Sequence, residues 1–231
     1  MPELRRRPSH ADAETPSPQG LSEAGAIVPG MTEESGTLPP SAKADLLRYL
    51  HTAREAMVWK LDGLSEYDAR RPLVPTGTNL LGLLKHLASV EAGYFGPTFG
   101  RPFPGTPFPW YAEGADPNDD FVVEADQSLT DVLDFYRRVW AHADETIASL
   151  PLDAEGHVAW WPPERNPVTL HRILVHVATE TYRHAGHADI LRELIDGVAG
   201  HNPTWDNLWS PKDGWPTHFA RVEGLAQGFR G

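Results

Sequence analysis

The chain has no cysteine among its 231 residues. That excludes disulfides, thiolate metal sites and a cysteine nucleophile, so any thiol chemistry must use the thiol of a small molecule. It also lacks any run approaching the roughly 18–20 consecutive apolar residues of a membrane-spanning helix. Arg5-Arg6-Arg7 leads into Pro8, Ser9 and His10 rather than an apolar signal region. A soluble, cytoplasmic protein with no membrane partner is expected. Positive charge is scarce too: 20 Lys and Arg stand against 32 Asp and Glu, for a net charge of −12. Without a local basic patch that balance repels polyphosphate, so nucleic acid is not an expected partner. The 40% hydrophobic content that remains is enough for one domain with a real core.

Residues 1–40 hold seven prolines with Ser and Gly and almost no aliphatic pattern. Such a composition does not repay the entropy of ordering, so a disordered N-terminal extension is predicted, with Met31 an alternative natural start. Residues 41–200 carry four amphipathic segments, which predict an all-α four-helix bundle. The first runs from about Ala42 to Leu64, with Leu46, Leu50, Ala53, Met57 and Leu61 at helical spacing. The second, Asn79 to Phe95, follows the breakers Pro75-Thr76-Gly77-Thr78 and buries Leu80, Leu83, Leu84, Leu87, Val90 and Tyr94. The third starts at Ser128-x-x-Asp131, a capping-box pattern with Asp in place of Glu, and runs to about Leu150. The fourth spans about Thr169 to Asp196 and closes at Gly197. Between the second and third lies a long loop with Phe99, Phe103, Phe108, Trp110 and Tyr111, of a length that in compact domains is often functional. Residues 201–231 read as an irregular arm packing on the bundle, with a short helix near Phe219 to Gln227.

The fourth segment carries the chemistry. Leu170, Ile173, Val177, Leu191 and Ile195 define its buried stripe, and Glu180 and His184 fall inside it, flanked by His176, Arg183 and His187. A carboxylate there must be protonated, ion-paired or bound to a metal. The four-residue spacing puts two ligands on adjacent turns, and an ion pair from Glu180 to a histidine or to Arg183 answers the same burial. A third ligand has to come from another helix, and His86, in Leu83-Leu84-Lys85-His86-Leu87, sits at the edge of a buried face. Two His and one Glu with an open position form a catalytic rather than a structural zinc set. His176 and His184 cannot share one ion, being about 12 Å apart along the axis. The paired Glu-x-x-His motifs of di-iron bundles are absent. One terminal His is thus excluded, and His176 and His187 read as hydrogen-bonding neighbours of the site or as ordinary interior polar groups.

The four-helix pattern, the His86 segment and the run Glu180-Thr-Tyr-Arg-His-Ala-Gly-His-Ala-Asp-Ile-Leu-Arg-Glu193 together resemble the DinB/YfiT-like superfamily. The likeness covers about residues 42–200 and is strongest to its actinobacterial branch, similar to the N-terminal domain of mycothiol-dependent maleylpyruvate isomerase. It implies a DinB-like metal-binding bundle with His86, Glu180 and His184 as ligands and zinc as the metal; a homodimer is a possible assembly. It further implies a thiol transferase or isomerase whose cosubstrate is a low-molecular-weight thiol such as mycothiol, the metal-stabilised thiolate attacking an electrophile. On that reading Arg183 and His187 are the catalytic candidates and Trp161 and Arg192 the cofactor-binding ones. Arg183 or Arg192 would hold carboxylates, and Trp161 with Phe108 and Trp110 would roof the cavity. The isomerase carries a substantial second domain where this chain has about 31 further residues, so its particular reaction is not carried over. The alternatives are a hydrolase using metal-bound water and a non-catalytic stress protein that binds a metal or small molecule.

Overall fold

A computed structural model describes residues 41–105, 114–206 and 208–230. The predicted N-terminal extension and the loop aromatics Phe108, Trp110 and Tyr111 lie outside the described residues. The protein is an all-α bundle whose four long helices are α1 (Ala42–Trp59), α3 (Leu80–Phe95), α4 (Leu129–Ser149) and α5 (Leu170–Asp196). Two shorter ones are α2 (Glu66–Arg70) and α6 (Gly214–Gln227). The strands β1 (Glu155–Gly156) and β2 (Val168–Thr169) pair antiparallel just before α5. No described helix is long and apolar enough to cross a membrane.

Local chemistry explains most boundaries. Ser128 and Asp131 close a reciprocal capping box on α4. Asn79 caps α3 by accepting from the Gly82 amide, and Thr169 caps α5 through the Arg172 amide. Gly197 ends α5 in the left-handed conformation that favours glycine. The first helix stops at Trp59, short of the predicted Leu64, because the chain turns over residues 60–63 and Gly63 takes a φ of 71°. Leu61 stays buried, so the apolar period outlasts the helix. The five-residue α2 escapes sequence reading because it is shorter than two turns.

The bundle packs α1 against α5 and α3 against both α4 and α5. A polar network crosses its centre. The Arg54 guanidinium binds the Glu91 carboxylate at 2.6–3.0 Å and Asp144 at 2.8 Å, and the Tyr136 hydroxyl donates to Glu91 at 2.9 Å. Arg54, Glu91 and Tyr136 are fully buried. The arm beyond α5 is anchored near its start. The Lys60 ammonium pairs with Asp189 at 2.6 Å and binds the Gly200 carbonyl, while the Gly200 amide donates to Asp189 at 2.7 Å. Gly200 has a φ of +100°, and a Cβ there would lie 2.1 Å from Asp206, so only glycine suits the turn. The later part forms α6, none of whose side chains is fully buried, and Phe219, Val222 and Leu225 are exposed.

Candidate metal centre

α3 and α5 lie antiparallel: His86 meets His184, and eight residues on along α3 Tyr94 meets His176, eight residues back along α5. This seam brings His86, Glu180 and His184 together, with one ligand atom from each lying within 4.8 Å of the others. His184 Nε2 is 3.0 Å and His86 Nε2 3.7 Å from Glu180 Oε1. The rings of His86 and His184 stand edge to face, centroids 4.9 Å apart. Arg183 is exposed and, among the described residues, does not pair with Glu180.

Sequence reading missed the residue that orients His86. Asp120 is almost wholly buried and its carboxylate lies 2.6 Å from His86 Nδ1. Asp120 comes from a 3-10 turn, Asp119–Phe121, in the long loop. Gly82 lets that turn approach α3: a Cβ at position 82 would lie 2.3 Å from the Phe121 carbonyl. Lys85 holds the same stretch through the Val122 carbonyl and Gln127 Oε1, and Phe121 stacks on the His86 ring at 4.0 Å. With Nδ1–H donated to Asp120, the lone pair is on Nε2, and His86 Nε2 is buried with no hydrogen-bond partner. An orphaned buried acceptor beside a carboxylate and a second imidazole fits a metal donor set. No local motif marks Asp120, since its meeting with His86 joins residues 34 apart.

Electrostatics leave the other two groups in states that could hold a metal. Burial pushes the Glu180 carboxyl upward, but His184 and then His86 outweigh it and hold the group below its ordinary range. Burial, reinforced by His86, pulls His184 below the ordinary histidine value against the opposing pull of Glu180, favouring the neutral ring. His187 Nδ1 lies 3.3 Å from His184 Nδ1, on the side of the ring away from Glu180. It therefore touches the outer face of a donor, not the space between the three. Arg192 is engaged elsewhere. It binds Asp196 and donates to the Lys60 and Asp62 carbonyls at the end of α1, so its guanidinium clamps two helix ends instead of facing a ligand. Trp161 lies on the same seam, edge to face with His176 at 5.2 Å.

Asp120→Asn is expected to weaken divalent-metal affinity by about ten- to a hundredfold. Chelator competition reads the change, with far-UV circular dichroism unaltered. Unchanged affinity would mean that the carboxylate does not orient His86.

An all-α bundle with two imidazoles and one carboxylate gathered on a helix seam is the arrangement that the DinB-like resemblance implies. More narrowly, the chain belongs to the mycothiol-S-transferase family, whose sequence model matches residues 45–197, a span holding the whole donor trio and Asp120. No curated protein matches the chain.

Proposed function

We propose that the chain is a metal-dependent S-transferase that joins the sulfur of mycothiol to an electrophilic carbon. The observation that carries this reading is the buried, unpartnered Nε2 of His86 beside Glu180 and His184. Two imidazole nitrogens and one carboxylate oxygen suit Zn²⁺, which would lower the pKa of a thiol taking its open position. Asp120 and Phe121 fix the plane and tautomer of His86, and His187 braces the outer nitrogen of His184. Glu180 contributes the negative charge of the donor set. The sulfur electron pair forms the new S–C bond, the thiol proton passes to water, and the electrons displaced from carbon leave with the leaving group or are protonated on the adduct. No cysteine of the protein takes part. A reduced small-molecule thiol belongs to the reducing interior of a cell, which places the enzyme in the cytoplasm.

The test combines purified protein, Zn²⁺, mycothiol and a model alkylating electrophile. A rate above the uncatalysed one, lost on chelation and restored by Zn²⁺, is expected. A rate indifferent to chelator overturns metal dependence, and a thiol-independent rate on esters would favour hydrolysis.

A further inference from the structure

The α3–α5 seam continues past the donor trio toward the start of α5. One turn before Glu180, His176 is half-buried, edge-on to Tyr94 at 4.7 Å and to Trp161 at 5.2 Å. The Trp161 and Trp160 indoles both donate to the Tyr94 hydroxyl, at 3.0 and 3.4 Å, which pins the Trp161 ring in place. On that ring lie two guanidinium groups, Arg165 at 4.3 Å and Arg172 at 5.0 Å from its centre. Arg172 also donates to the Arg165 carbonyl at 2.8 Å, which ties the two together.

Neither arginine pairs with a carboxylate among the described residues, although the chain carries 32 Asp and Glu. Two cations sharing one indole, without a carboxylate on either, leave positive charge at this end of the seam. A guanidinium held over an indole face keeps most of its N–H donors available to a carboxylate. His176 lies between the pair and Glu180. Burial lowers the His176 pKa, Glu180 opposes that shift, and Arg165 and Arg172 add to it, so His176 lies within reach of both charges. Eight residues of α5 separate Arg172 from Glu180, about 12 Å of rise. A substrate extended along the seam has to span that distance itself.

We propose that Arg165 and Arg172, spread on the Trp161 ring, form an anion subsite that holds a carboxylate of the electrophilic substrate. The preferred electrophiles are then carboxylic acids extended along the seam, with the acid group at Trp161 and the reactive carbon toward Glu180 and His184. The arginine role expected of residues 183 and 192 falls to this pair. The assignment of the bound acid as substrate rests on the transferase reading; the subsite itself does not.

Calorimetric titration of the full chain with succinate, and with uncharged succinamide as control, tests it. Succinate should bind at least tenfold more tightly than succinamide, in chelator-treated and metal-loaded protein alike. Arg165→Gln/Arg172→Gln should weaken succinate at least tenfold, and Arg172→Lys, which keeps the charge and loses the guanidinium, should fall between. Both positions are exposed, so helicity should persist. In turnover, the double variant should raise KM for a carboxylate-bearing electrophile at least tenfold and leave KM for a neutral one unchanged. Equal binding of the two probes, or succinate binding untouched by the double variant, overturns the subsite. Intact succinate selectivity without any thiol transfer supports the subsite and overturns the transferase reading alone.

Discussion

Replacing His184 with alanine is expected to abolish stoichiometric metal binding and bring the thiol-transfer rate down to that of chelated protein, at least about a hundredfold, since even residues behind the ligands typically cost ten- to a hundredfold. His184 shares its Nε2 side with Glu180 at 3.0 Å and sits ring to ring with His86. Its removal leaves two donors and a wider opening, too few for the closed side of a catalytic site. The fold should survive, because the lost ring is polar, its contacts are with Glu180, His86, His187 and Phe121 on the seam, and alanine suits a helix. Elemental analysis of purified protein reads the metal, and unaltered metal content would sink the donor assignment. The intact site has a matching pH signature. Burial, then His86, holds the His184 pKa below its ordinary value of 6.5, so protons compete for its ring nitrogen only below that value. Metal affinity should be nearly flat above pH 6.5 with respect to this group and fall as the pH drops through the lowered pKa.

Glu91→Ala should be the most destabilising single change, by about 3–5 kcal/mol, because it strands the buried Arg54 guanidinium. Glu91 accepts from Arg54 at 2.6–3.0 Å and from Tyr136 at 2.9 Å, with Arg54, Glu91 and Tyr136 all fully buried. Burial works against the Arg54 charge, yet Glu91 holds the guanidinium above its ordinary pKa. Burial first, and then Glu91, drives the Tyr136 hydroxyl well above its own, keeping it a neutral donor. In the variant, Asp144 at 2.8 Å is the remaining carboxylate on Arg54, and it is partly exposed. Thermal unfolding should show a midpoint lower by on the order of 10 °C. The double variant Arg54→Met/Glu91→Met should recover much of the loss, since it removes both charges and restores apolar volume. A single variant as stable as the parent would refute a structural role for the pair.

Glu91 and Glu180 show where sequence reading works and where it stops. Both are acidic residues in helical segments with apolar neighbours. Glu180 stands out because His184 follows one turn later on the same stripe, a relation contained within one helix. Glu91 has no such local sign; its partner Arg54 is 37 residues away on α1. The same holds for Asp120 and His86, 34 residues apart, where a loop carries the carboxylate onto a helix.

The order of residues was sufficient for whatever depends on neighbours within a turn or two: four long helices, the Ser128–Asp131 cap, the Gly197 stop and the Glu180–His184 pair. The absence of cysteine likewise required nothing more. Tertiary structure alone decided that His86 faces that pair, that Asp120 sets its free nitrogen, that Arg192 is used at a helix end, and that no side chain of α6 is fully buried. Helix periodicity reports which face is apolar, but not which face of another helix it meets or in what register, because that depends on loop paths and on contacts between residues tens of positions apart.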